Sequence, residues 1–530
     1  MYKDGRIVIG NSENGEVAIL PKMANRHGLI AGVTGMGKTV TLRVLAESFS
    51  AAGVPVFLAD AKGDISGLFE AGEGEDAKAF PVSLWDVYQQ GGLPLRVTIS
   101  EMGPLLLSRI LGLNDTQSDI MTIIFKIMDD EGTLIIDTKD LKEALSYVGE
   151  HASDYSLTYG NIAKQSLAAI IRSVVALESE GGEMFFGETA VDFHDWISFD
   201  QNGYGRINIL DCRKLMLSPT MYSTFMLWMM SELFENLPEV GDCDKPKMVF
   251  FFDEAHMLFD GASKELLQKI EQVVKLIRSK GVGIYFVTQN PMDIPDGVLS
   301  QLNNKIQHGL HAYTPAEQKS VKAAAMSFRE NPAFDTYETL TTLGIGEALV
   351  SVLDENGAPT ISEKVKVCYP PQSRMGAITD EDRQSHIKGD NLYTKYSTYV
   401  DNDSAFEFLQ RKRLTDAEEA EEAAAQAAAE KQAAKDAAEA EKQAAKEAAA
   451  AERQAAREQA AAEKAAQKQA EQNSKQVKRA AKSVANTAAG TIGREIGKTV
   501  GSAGGKFGKT LGGNVGAALG RGILSTLFKV

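Results

Sequence analysis

The stretch "HGLIAGVTGMGKTVTLRVLAESF" sets Gly32, Gly37, Lys38 and Thr39 at the spacing G-x-x-x-x-G-K-[ST]. Residue types in that order do one kind of chemistry. Glycines let the backbone curl, so the segment Gly32, Val33, Thr34, Gly35, Met36, Gly37, Lys38, Thr39 and Val40 turns its N–H groups and a helix N-terminus toward phosphates. Lys38 supplies positive charge to the β and γ phosphates, and Thr39 a hydroxyl for Mg²⁺. A short apolar run precedes the motif, and a helical pattern (Val40, Val44, Leu45, Phe49) follows it, which is the setting it needs. The expected cofactors are ATP and Mg²⁺.

Carboxylates complete the constellation. The run "VPVFLAD" ends at Asp60, and in an α/β sheet ligands sit at the carboxyl ends of strands. Asp60 is therefore placed either to reach the site or to form the turn into "AKGD". Lys247 to Phe252 is a continuous apolar β run ending at Asp253 and Glu254. Asp253 is a candidate to hold Mg²⁺ with Thr39, and Glu254 to polarise the attacking water, so hydrolysis is expected as well as binding. The run "VGIYFV" ends at Thr288, Gln289 and Asn290, and Gln289 is the candidate to position that water. The letters Asp253, Glu254, Ala255 and His256 also spell the DEAH label. A DEAH-box helicase carries two tandem cores, a Ser-Ala-Thr motif and a late arginine motif, whereas this chain has one P-loop, "VTQN" in that place and no such arginine motif. His256 is left without a role.

The 530 residues predict one large domain with appendages. "MYSTFMLWMMSELF" at 221 to 234 contains Glu232 and is too short for a membrane span, so a buried helix is expected. The opening "MYKDGRIVIG" has no signal-peptide core, which makes a cytoplasmic location the expectation. Cys212, Cys243 and Cys368 lie far apart, without disulfide or zinc spacing, and His308 and His311 favour packing or surface roles over metal. A net charge of −16 argues against a surface coated for nucleic acid, though a narrow basic channel stays open.

Past residue 411 the composition changes to Ala, Glu, Lys and Gln. "EKQAAK" at 430 and 441, "ERQAAR" at 452 and "EKAAQK" at 463 recur every 11 residues, almost three α-turns. The pattern predicts a long helix of strong helix formers, a solvated spacer rather than an Ala-faced coiled coil because the seam lacks Leu or Ile. Beyond 475, glycines at four-residue spacing and ten basic residues against Glu495 describe either a flexible end or a tail that anionic lipid, nucleic acid or a partner protein attracts. The second alternative adds a peripheral location at the inner membrane face.

"NRHGLIAGVTGMGKT", "FLADAKGDISGL", "YGNIAKQSLAAIIRS", "FFFDEAHMLF", "YFVTQNPMDIPDGVL" and "VKAAA" give residues 1 to 410 a resemblance to the HerA/FtsK group of P-loop ATPases, and within it to bacterial HerA-like proteins of the YjgR type. The resemblance implies a homo-oligomeric ring, a hexamer, with sites between subunits and double-stranded DNA as the moved polymer. It also implies an arginine from the neighbour at the phosphates, for which Arg26 matches the position before the P-loop strand, and a second on the helix before the Thr-Gln strand, matched by Arg278. HerA proper begins with a β-barrel that docks a nuclease; about 25 residues precede Arg26 here, room for a hairpin of "RIVIG" and "EVAIL".

The expected fold is thus α/β, a RecA-like (ASCE) P-loop core with a mostly parallel sheet, an inserted helical subdomain, a long C-terminal α-helix and a Gly-rich tail. Its expected parts are a hairpin over 1–25, the ATPase core over 26–375 with a largely helical insertion at about 80–245, and a connecting segment over 376–410. The Ala-rich helix over 411–472 and the basic tail over 473–530 complete the chain.

Overall fold

The computed structural model describes residues 1–477 apart from 242, 261, 263 and 399. The expected glycine-spaced basic tail lies almost wholly outside the described residues. By contact, the chain divides into Met1–Ala424 and Ala425–Val530.

The first unit is built on a sheet. It opens with β1 (Tyr2–Lys3) and the antiparallel hairpin of β2 (Arg6–Ser12) and β3 (Gly15–Ile19), closed by the pair Ser12 and Gly15. The parallel strands follow: β4 (Gly28–Ala31), β5 (Val56–Asp60), β6 (Val82–Asp86), β7 (Leu93–Pro94), β8 (Ile207–Asp211), β9 (Met248–Phe252), β10 (Val282–Thr288) and β11 (Asn304–His308). β12 (Glu347–Ser351) and β13 (Glu363–Val367) return antiparallel. Among the described residues the order is β1-β2-β13-β12-β11-β4-β10-β9-β5-β8-β6-β7, with β3 beside β2. Every residue of β4, β5, β9 and β10 is buried, as strands covered on both faces require, which is why they read as apolar runs. One strand, β10, separates β4 from β9. That interposed strand gives the additional-strand form of the P-loop fold.

Helix α1 (Lys38–Ala51) follows β4 and is buried along most of its length. Its Arg43 and Glu47 are fully buried charges. Arg43 donates to the carbonyls of Arg374 (2.7 Å) and Gly376 (3.1 Å), and Glu47 accepts from the N–H groups of Gln372 and Ser373 (both 2.9 Å), so α1 is strapped by the segment after β13.

Residues between β7 and β8 carry α2 (Ile99–Ile110), α3 (Asp115–Asp130), α4 (Thr138–Glu150), α5 (Ala152–Tyr159) and α6 (Lys164–Ser179). The apolar run from Pro104 is two helices because Gly112 takes a φ of 63° and Asn114 and Gln117 form a capping box that starts α3. The expected insertion at about 80–245 also contributes β6, β7 and β8 to the sheet, so it is more than helices laid on the core. "MYSTFMLWMMSELF" lies in the helix Pro219–Asn236, with Met221 to Met230 all buried. No helix among the described residues is long and apolar enough to cross a membrane.

That helix carries a pH-sensitive carboxyl. Burial raises Glu232 from its ordinary value to about 7, with the Asn236 amide (2.6 Å) opposing and Glu101 and Glu235 adding to the rise. A raised folded-state value means the folded chain holds the proton more tightly than the unfolded one, so this stabilisation is complete below about 4.5 and lost as pH rises through about 7. Glu232→Gln is expected to raise the thermal midpoint relative to wild type at pH 8 and to leave it unchanged at pH 4. An equal shift at both pH values would refute the assignment.

The helix Ala405–Val477 begins before the composition change. Leu409 is fully buried, Lys412 and Arg413 pair with Glu131 (2.6 Å) and Glu143 (2.8 Å), and Tyr147 donates to Asp416 (2.8 Å). In the second unit, side chains from Ala425 to Gln469 are exposed. The 11-residue repeat shows there as i,i+4 bonds, Gln432 to Asp436 (2.9 Å) and Gln443 to Glu447 (3.2 Å).

Candidate nucleotide site

Register fixes the site. Ala31 pairs with Thr288, Phe286 with Phe252, and Phe252 with Ala59, so β4, β10, β9 and β5 all end on one edge of the sheet. The residues that follow these ends are Gly32, Gln289, Asp253 and the loop after Asp60.

The phosphate loop is held in its curl from three sides. Gly32 has a φ of 147° and a Cβ there would stand 2.5 Å from that of His308, while Gly37, with a φ of 111°, caps α1. Val33 donates to the carbonyl of Gly309 (3.1 Å), and Gly346 donates to that of Met36 (3.1 Å). The first-turn N–H groups of α1, from Lys38 to Val40, have no carbonyl one turn earlier and so open on the loop's hollow. Lys38 is buried, and its Nζ donates to the carbonyl of Gly32 (2.6 Å) across that hollow. Burial lowers its pKa, Glu254 and Asp253 oppose the fall, and Lys62 adds to it.

Opposite the loop stand the two carboxylates. Asp253 is buried, and burial raises it to about 7, with Lys62 opposing and Glu254 adding to the rise. A buried carboxylate within electrostatic range of Lys38 in the phosphate loop is suited to a hard divalent cation, whose charge favours the anion. Glu254 adopts a left-handed backbone (φ 46°, ψ 48°), uncommon for a residue with a Cβ. Its carboxylate accepts from Gln289 Nε2 (3.3 Å) and pairs with Lys62 Nζ (2.9 Å). Burial pushes Glu254 up, but Lys62 and Gln289 outweigh it and hold the group below the usual range. His256, unassigned by sequence, has Nδ1 3.5 Å from the same carboxylate.

Asp60 faces its own loop. Oδ1 accepts from the N–H groups of Lys62 (3.2 Å) and Gly63 (2.7 Å), and Oδ2 from that of Ile65 (3.2 Å). The carboxylate builds the turn on which Lys62 stands. His308 belongs beneath the phosphate loop: its ring bonds Thr41 Oγ1 and the carbonyl of Glu347 (both 2.8 Å), and burial lowers it to about 4, so it is neutral there. Sequence reasoning missed Lys62 and this use of His308. "AKGD" after a site strand was the available signal for the first, and a histidine closing β11 for the second.

Arg26 and Arg278 lie elsewhere. Arg26 precedes β4 and Arg278 precedes β10, so both stand at the amino edge of the sheet, the edge away from Gly32. From Arg26 to Gly32 is about 20 Å along an extended chain at roughly 3.3 Å per residue. Between them the buried ring of His27, lowered to about 4 chiefly by burial, accepts from Ile284 N–H (3.0 Å) and bonds the backbone of Val274.

A phosphate loop leading into α1, the acidic end of β9 opposite it and β10 between their strands define a RecA-like P-loop ATPase of the additional-strand class. The profile of the family "Helicase HerA-like C-terminal" matches residues 6–507, and the chain belongs to that family. The DNA double-strand break repair helicase HerA of Sulfurisphaera tokodaii is 22% identical over 362 residues, 66% of this chain and 67% of that one. The probable helicase MJECL08 of Methanocaldococcus jannaschii is 30% identical over 155 residues, 27% of this chain, so the match spans only 28% of that relative's length. Among solved structures, VirB4 of Thermoanaerobacter pseudethanolicus aligns with a TM-score of 0.47 and 17% identity, covering 70% of this chain and 98% of that one.

Proposed function

We propose that the chain is a Mg²⁺-dependent ATP hydrolase that assembles as a ring, a hexamer, with its sites between subunits, and that hydrolysis moves double-stranded DNA. The observation that carries the ATPase reading is the Glu254 carboxylate, hydrogen-bonded to Gln289 and on the same sheet edge as the phosphate loop. Gly32 to Val40 cradle the phosphates, Lys38 neutralises them, and Thr39 and Asp253 would hold Mg²⁺, which supplies charge neutralisation at the β and γ oxygens. Gln289 orients the water. Its oxygen bonds to the γ phosphorus as the bond to the β-phosphate oxygen breaks, and its proton passes to Glu254.

The ring reading is supported by Arg26 and Arg278 standing on the sheet edge away from their own phosphate loop. The DNA reading rests on family membership, since HerA of Sulfurisphaera tokodaii carries DNA repair in its name. The rival reading is an ATPase located by its C-terminal segment on an anionic membrane or a partner protein. Truncation after Ala424 separates the two and spares the docked turns of the last helix. ATPase activity of residues 1–424 that rises with double-stranded DNA is the expected result. No stimulation at any salt, together with loss of co-sedimentation on anionic vesicles after truncation, would refute DNA movement in favour of the rival.

A further inference from the structure

Glu254 is held by a residue that the reaction as written above does not use. The ammonium of Lys62 pairs with its Oε1 at 2.9 Å, across the gap between the ends of β5 and β9. The backbone beneath Lys62 is fixed: Asp60 takes the N–H groups of Lys62, Gly63 and Ile65, Arg43 of α1 donates to the carbonyl of Asp64, and the side chain of Arg213 packs against Gly63. The side chain itself is 41% exposed. A rigid base thus carries a flexible four-carbon stem with three rotatable donors, the form of a group that can change partners. Lys38 of the phosphate loop and Asp253 are both electrostatic neighbours of Lys62, so its ammonium lies close to that loop as well as to Glu254.

We propose that Lys62 is a second phosphate-binding lysine, exchanged between Glu254 and the terminal phosphate of a nucleoside triphosphate. The inference rests on the ATPase reading and deepens it. A γ-phosphate brings a second, more negative acceptor within reach of the ammonium, and moving Lys62 onto it leaves Glu254 free for the water proton. The step is an exchange of ion pairs, and no covalent bond forms or breaks in it. A diphosphate lacks the competing acceptor and leaves Lys62 on Glu254. Lys62 would therefore tell ATP from ADP and release the base only when the γ-phosphate is present.

The test compares binding of a non-hydrolysable β,γ-imido ATP analogue and of ADP, both with Mg²⁺, to the full chain and to Lys62→Ala, Lys62→Arg and Lys38→Ala. Lys62→Ala is expected to raise the Kd for the analogue about tenfold, the scale of a charge-assisted hydrogen bond, and to leave the Kd for ADP within about twofold. Lys62→Arg, which keeps a cation on the same loop, is expected to restore most of the analogue's affinity. Equal weakening of both nucleotides, or of neither, overturns the inference, because a purely structural clamp on Glu254 gives no ATP-against-ADP difference. Lys38→Ala reads the premise separately: it must weaken both nucleotides, and a wild-type chain that binds neither overturns the ATPase reading and the inference with it.

Discussion

Glu254→Gln is expected to lower ATP turnover by about 10² to 10⁴-fold, the usual contribution of a positioned general base, while nucleotide binding persists. The substitution keeps the length and shape of the side chain and removes only its ability to take a proton. Its backbone is set by the end of β9 and by a left-handed turn (φ 46°), so the variant side chain starts from the same place. Glutamine still reaches Gln289, whereas the ion pair with Lys62 becomes a hydrogen bond from the ammonium to an uncharged amide oxygen. The phosphate loop gives up none of its contacts, because those run to Gly309, Thr288 and Gly346. Phosphate release measured alongside nucleotide binding separates the two properties. Turnover at the wild-type rate would show that another group takes the proton, and loss of binding would show that Glu254 supports the loop itself.

The parts of this site that were legible are those written locally. Gly32, Gly37, Lys38 and Thr39 fall within eight residues, and the apolar runs of β9 and β10 announce buried strands that end in Asp253 and Gln289. What stayed hidden depends on residues far apart in the chain. Glu47 meets Gln372 and Ser373 across more than three hundred residues, and nothing near either partner reports the other. The hairpin of β2 and β3 was readable, but its place beside β13 was not, since that pairing joins Asn11 to Lys366. Lys62 sat inside a quoted motif and still escaped notice, because a lysine in a Gly-containing turn looks like any solvated turn residue until β5 and β9 are known to lie side by side. Asp60 shows the opposite case: both of its readings were open, and its three backbone donors settle what its oxygens touch.

Arg26→Ala is expected to lower ATP turnover by about 10³ to 10⁵-fold, the range for an arginine delivered to phosphoryl transfer. The position makes the prediction specific to an assembly. Arg26 stands before β4 and the phosphate loop after it, about 20 Å apart on an extended chain, and a side chain cannot cover that distance. Its guanidinium lies against the turn at Gly357, and its neighbour His27 ties the same edge to β10 and to the helix Lys264–Ile277, so the residue is presented on a firm surface. If that surface faces the phosphate loop of an adjacent subunit, Arg26→Ala and Lys38→Ala damage opposite sides of one interface. An Arg26→Ala subunit keeps its own phosphate loop, and a Lys38→Ala neighbour can still lend it an arginine. Random one-to-one mixing would rebuild about one quarter of the interfaces in a closed ring. Each variant alone should be inactive, and the mixture should recover activity in that proportion. A mixture as inactive as its parts would place Arg26 outside any neighbour's site, and with it would fall the reading that this ATPase works between subunits.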